Sequence, residues 1–219
     1  MRNLEFLILF STLISLASCS KDTLTPVGTK GPNNTVISAT GRIWMDRNLG
    51  ASRVAEISTD SLAYGDLYQW GRLADGHQIR TSATSSSLSS KDIPGNGLFI
   101  KVSNLINDWR SPFNNDLWQG LNGTNNPCPS GFRLPTSAEL EEERKSWISN
   151  NAAGAFASIL HLPQAGYRED NGTLYHVGGS YWSSTINGPQ PLFLNFFSSN
   201  AIMYSNYRAK GFSIRCIKD

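Results

Sequence analysis

Charge is scarce in this sequence. Asp, Glu, Lys and Arg make up 16% of the 219 residues and the formal net charge is +2, whereas an ordinary soluble domain carries roughly 25% charged residues. A nucleic-acid partner would need a clustered basic stripe. The longest charge cluster, Glu141-Glu142-Glu143-Arg144-Lys145, mixes both signs and reads as a solvated helix face, so nucleic-acid binding is excluded. Histidine is limited to three residues; His77, His161 and His176 are far apart and form no metal-spaced motif. The chain lacks the repeated apolar runs of a multi-pass membrane protein, each of which needs about 20 residues. What replaces charge is uncharged polarity, with 28 Ser and 19 Asn. Six Trp, seven Tyr and ten Phe are enough aromatic volume to close a core, which excludes intrinsic disorder. The length suits one sizeable domain with accessory segments.

Residues 1–18 read as a secretory signal: Arg2, a short apolar stretch through Leu16, then small residues. Leu16-Ala17-Ser18-Cys19 resembles the lipobox of bacterial lipoproteins, which implies cleavage before Cys19 and acylation of its thiol and new amino terminus. The bland alternative is an ordinary signal peptide with an incidental Cys. Several acyl chains at about 0.8 kcal/mol per buried CH₂ would hold the protein firmly on a membrane. Residues 19–36 hold two Pro, two Gly and few apolar residues, and read as a flexible tether. Ser20 resembles the sorting residue of outer-membrane lipoproteins. Ser20-Lys21-Asp22 is similar to surface-export signals of Bacteroidetes lipoproteins, and Asp22-Thr23-Leu24 and Asp60-Ser61-Leu62 to that phylum's O-glycosylation motif. The expected location is the outer membrane, surface exposure included.

If Cys19 is lipidated, Cys128 and Cys216 are what remains. Two cysteines in an exported chain most often pair; two free thiols are the alternative. No thiol is then left for catalysis.

In the domain from residue 37 to 219, Thr40–Leu49 looks like a strand leaving through a polar turn. Asp66–Leu73 is a short helix candidate, with Leu67, Trp70 and Leu73 at spacings of three. Residues 80–92 are Ser/Thr-rich and read as a surface loop. Thr136 and Glu139 form a capping box that starts a helix. On it, Leu140, Trp147 and Ile148 lie near one face and are expected to pack inward. A second helix spans about 152–160. Strands follow at 164–168, 174–175, 181–184, 192–197 and 212–216, with Asn171-Gly172 and Asn187-Gly188 as hairpin turns. In the last strand Phe212, Ile214 and Cys216 alternate with Ser213 and Arg215, so one face is expected to be buried. The pattern is that of an α+β domain.

Several segments resemble one known family together: Gly41-Arg42-Ile43-Trp44-Met45-Asp46-Arg47-Asn48-Leu49-Gly50, Tyr64–Arg72, Asn126–Thr136, Leu162–Arg168, Tyr181-Trp182-Ser183-Ser184-Thr185 and Gly211–Cys216. In this order, over residues 37–218, they are similar to the Fibrobacter succinogenes major paralogous domain family. The resemblance implies a C-type-lectin-like fold, with short helices and a twisted, mostly antiparallel sheet, and a core disulfide between Cys128 and Cys216. It implies no settled activity.

Three function classes follow. The related formylglycine-generating fold suggests oxidation chemistry, which needs an active-site cysteine pair that this chain cannot spare. Ser183-Ser184 shows no nucleophile elbow, and the expectation is a non-enzyme. Calcium lectins of the fold carry Glu-Pro-Asn or Gln-Pro-Asp followed by Trp-Asn-Asp. This chain has Gln190-Pro191-Leu192 and no Trp-Asn-Asp, so no cofactor is expected from the motif. Asp108 and Asp116, with Asn114 and Asn115 between them, are the candidate calcium ligands; a polar loop anchored by Trp109, Phe113 and Trp118 is the alternative. Residues 181–208 are rich in Tyr, Ser and Asn, the residues of paratopes, and resemble the variable region of retroelement-diversified proteins of this fold. Tyr181, Asn187, Asn195, Phe197, Asn200, Tyr204, Asn206 and Tyr207 are therefore the candidate contacts to a protein or glycan ligand. Ordinary sheet surface is the alternative there, and a structural or fimbria-associated subunit is the third class.

Overall fold

Two-residue alternation in the last third of the chain sorts side chains between the two cores of the described residues. The computed structural model describes residues 29–31, 33–102 and 107–219. The signal segment, Cys19 and most of the expected tether lie outside the described residues. The amino-terminal strands are β1 (Thr29–Lys30), β2 (Thr35–Ile37) and β3 (Ile43–Met45). Next come β4 (Tyr68–Gln69), β5 (Thr84–Ser85), β6 (Phe99–Ile100) and β7 (Phe132–Arg133). Helices α1 (Ser137–Lys145) and α2 (Ala152–Ala157) precede β8 (Tyr167–Arg168) and β9 (Leu174–Tyr175). The chain closes with β10 (Gly179–Asn187), β11 (Gln190–Phe196), β12 (Ala201–Ser205), β13 (Gly211–Phe212) and β14 (Ile217–Lys218). The described residues thus form a mixed fold with two helices and several small sheets.

The sheet β10-β11-β12 stands between two cores. Alternating side chains put Tyr181, Leu194 and Phe196 with Leu140 of α1, Ala155 of α2, Trp44 and Trp147. Trp182, Phe193 and Phe212 join Tyr68, Trp70, Trp109 and Trp118 on the other side. The turn from β10 to β11 has Gly188 at φ +61 in its first central position, as a two-residue hairpin of type II′ requires. A second sheet runs β4-β13-β8-β9, and a third β1-β2-β3-β14-β7. Cys128 and Cys216 are joined by a disulfide with Cα atoms 5.9 Å apart, closing a separation of 88 residues.

The capping box at α1 is present: Thr136 Oγ1 accepts from the Glu139 backbone N–H at 3.2 Å, and Glu139 Oε2 accepts from Thr136 N–H at 2.8 Å. Burial pushes the Glu139 carboxyl up, but hydrogen bonds from Arg133 and Thr136 outweigh it and hold it at about 2.

Four local expectations are corrected. Tyr68 and Gln69 form a strand rather than a helix, because they pair with Phe212 and Gly211; tertiary pairing overrides a three-residue apolar spacing. Helix α1 ends at Lys145, so Ile148 sits in the following bend with 85% of its surface exposed instead of packing inward. Ser213 and Arg215 are buried along with Phe212, Ile214 and Cys216, since the terminal segment runs between layers. Arg215 donates to Asn48 Oδ1 (2.9 Å) and the Leu160 carbonyl (2.6 Å), while burial lowers its pKa to about 10. Finally, β1 and β2 pair as a hairpin, Lys30 opposite Val36, within residues expected to be tether. Val36 is buried against Trp44 and gives that hairpin its apolar contact.

Candidate binding cleft

On β11, Phe193 and Asn195 point away from the helices, and their cross-strand partners on β12 are Tyr204 and Ile202. On β10, Ser180 lies opposite Asn195. Between this face and strands β8 and β13 opens a cleft of about 180 Å³. Phe193, Phe212 and Ser180 are buried and make its floor. Tyr204 and Phe197, 61% and 37% exposed, stand at its rim.

The rings form a continuous row. Tyr175 stacks on Tyr167 at 5.2 Å, Tyr167 meets Phe212 edge-on at 6.1 Å, and Phe212 lies 4.6 Å from Phe193. Phe193 then meets Tyr204 edge-on at 6.5 Å. Both ends of the row are exposed and its middle is buried, which makes an aromatic trough with a rigid floor.

Polar groups are placed by the ladders around it. Pairing of Arg168 with Gly211 sets Glu169 beside Lys210, and Lys210 Nζ reaches Glu169 Oε1 at 3.0 Å and Oε2 at 2.9 Å. Asn195 Nδ2 donates to Ser180 Oγ at 3.0 Å. Burial, then the Glu169 charge, raises the Tyr167 phenol pKa, so that hydroxyl stays protonated at neutral pH. The volume is below the roughly 300–1,000 Å³ of a pocket for a drug-sized ligand or cofactor. It suits one ring-sized group.

Of the eight expected contacts, Asn195, Phe197, Tyr204 and Asn206 come together in this cleft. Tyr181 does not reach the surface: it is fully buried, and its hydroxyl donates to the Pro163 carbonyl (2.9 Å) and accepts from Asn48 Nδ2 (3.1 Å). Asn187 is exposed at the β10–β11 turn, and Asn200 at the turn before β12. Tyr207 is half-buried, its backbone N–H on Asn206 Oδ1 at 2.9 Å. Sequence reasoning missed Tyr167, Glu169 and Lys210. A signal was present in the two tyrosines flanking the Asn171-Gly172 turn, since Tyr167 and Tyr175 are direct cross-strand partners.

The two candidate calcium ligands differ in exposure and in partners. Asp108 is buried, its Oδ2 3.7 Å from Arg208 Nε, and burial raises its pKa to about 6. Asp116 is exposed, with its backbone N–H on Asn114 Oδ1. Arg208 donates to the Asn114 carbonyl at 2.7 Å and to Asn115 Oδ1, and its guanidinium lies 4.7 Å from the Trp70 ring. The Asn114 and Asn115 oxygens therefore already accept from a cationic side chain. No group of three His, Cys, Asp or Glu able to hold a metal occurs among the described residues. No helix among them is long and apolar enough to cross a membrane.

No family model, no curated protein and no solved structure matches the chain.

Proposed function

We propose that the chain is an outer-membrane lipoprotein, held through acylated Cys19, that displays a non-catalytic C-type-lectin-like domain for recognising a protein or glycan. The six ordered sequence segments that resemble the Fibrobacter succinogenes major paralogous domain family support the fold assignment, as does the Cys128–Cys216 bridge that the resemblance implies. The anchor rests on Leu16-Ala17-Ser18-Cys19.

The observation that carries recognition is the pair Tyr204 and Phe197. Both are large aromatic side chains left exposed at the rim of one concave face, beside Asn195 and Asn206. Exposed aromatic surface gathered in a cleft marks an interaction site more often than scattered exposure does. The test is capture of the purified full chain on arrays of glycans and of envelope and host proteins. Alanine at Phe197 and Tyr204 abolishes capture, while alanine at Asn187 and Asn200, outside the cleft, leaves it. Capture unchanged by the cleft substitutions overturns the reading.

A structural subunit is the second reading, favoured by β12. Among the described residues this strand pairs with β11 on one side and is the edge of its sheet, with Arg144 of α1 reaching its Ala201 carbonyl; an edge strand is the element that strand addition uses. Stoichiometric co-purification with an envelope assembly that masks β12 is the result it predicts.

A further inference from the structure

We infer that the cleft between β11–β12 and β8–β13 holds a neutral pyranose ring of a glycan, directly and without calcium. This rests on the recognition reading and names its ligand class.

Size comes first: about 180 Å³ takes one six-membered ring and little more. The walls come second. A pyranose has an apolar face of C–H groups and an equator of hydroxyls. Tyr204, Phe197 and Tyr167 offer ring surface around the cleft, over a floor of Phe193 and Phe212.

The polar groups are the third match. Each sugar hydroxyl both donates and accepts. Glu169 and Lys210 set an acceptor and a donor side by side, 2.9 Å apart, and the Asn195 and Asn206 amides add one of each. Vicinal hydroxyls find complementary partners there. A prolyl ring would fit the aromatic walls but has no donor for Glu169.

Charge decides between the remaining ligands. Glu169 and Lys210 are the two charged side chains of the lining and cancel one another, so neither a cation nor an anion gains a net Coulomb attraction. A neutral ligand is the one that needs none.

The test is an NMR titration of the full chain in EDTA with methyl glycosides of neutral hexoses, at low and high salt. The expected result is saturable shifts at the amides of Glu169, Asn195, Tyr204, Asn206 and Lys210. The affinity changes less than about twofold with salt, because no ion pair forms between the protein and a neutral ligand. Tyr204→Ala and Lys210→Gln each weaken binding at least about tenfold, with their spectra otherwise retained. Absence of cleft shifts at 50-fold the concentration that saturates any array ligand overturns the inference. So do shifts produced by tetramethylammonium or a proline-rich peptide but by no glycoside. If array capture still depends on Phe197 and Tyr204 in those cases, the recognition reading stands without the sugar; if it does not, both fall.

Discussion

Tyr181 and Trp182 are consecutive in the chain and belong to different cores. Tyr181 stacks on Phe196 at 5.7 Å, toward the helices. Trp182 lies 4.2 Å from Phe212, and its indole N–H donates to the Tyr68 carbonyl at 2.8 Å. Strand β10 is thus buried on both faces along this stretch, and it reaches the cleft only through Ser180, beside Asn195 of β11. The floor rings, Phe193 and Phe212, are held by the same packing, with Trp182 against both, so the floor is preformed.

The disulfide stabilises the fold by constraining the unfolded chain. Closing 88 residues removes roughly 4–5 kcal/mol of unfolded-chain entropy in the loop-closure account. Cys128→Ser with Cys216→Ser, or reduction, lowers unfolding free energy by that order in urea titrations. A loss under about 1 kcal/mol would contradict it.

Two apolar residues near α1 should behave oppositely. Leu140 is 1% exposed, and Leu140→Ala costs about 2–5 kcal/mol. Ile148 is 85% exposed, and Ile148→Ser stays within about 0.5 kcal/mol of the parent. Denaturant midpoints of the two variants check the helix boundary directly.

His77 predicts an acid-side loss. Its Nε2 accepts from Gln69 N–H at 3.1 Å and its Nδ1–H donates to Asp75 Oδ1 at 2.7 Å, a neutral, buried ring. Burial lowers its pKa from 6.5 to about 4, against the pull of Asp75. Below pH 6.5 the unfolded chain takes up a proton that the folded ring refuses, so stability falls as pH drops toward 4. The loss from this group is about 3 kcal/mol. In His77→Gln the stability–pH slope over that window flattens, whatever the variant's absolute stability.

What the sequence made legible was local chemistry. The capping box at Thr136 and Glu139 and the turn glycines Gly172 and Gly188 each act over a few residues, and each is present. What it hid was set by partners far along the chain. Tyr68 and Gln69 become a strand through Phe212 and Gly211. Composition singled out residues 181–208, yet it could not say that period-two alternation sends Tyr181 inward while Asn195 and Tyr204 line the cleft. Glu169 and Lys210 come together through the β8–β13 ladder, which nothing in either local segment announces.

The proposed acyl anchor at Cys19 makes its own prediction. Labelled fatty acid enters the wild-type chain and fractionates with the outer membrane; Cys19→Ala takes up none and leaves the membrane fraction. Label retained by Cys19→Ala would place acylation elsewhere.

The most direct test of the account is Tyr204→Ala, followed by melting and by array capture on the same preparation. The ring is 61% exposed and its role is assigned to ligand contact rather than to the fold. The account predicts unfolding free energy within about 0.5 kcal/mol of wild type together with loss of capture. Capture at wild-type strength, or a destabilisation of the 3–5 kcal/mol order that follows removal of a core aromatic, would contradict it.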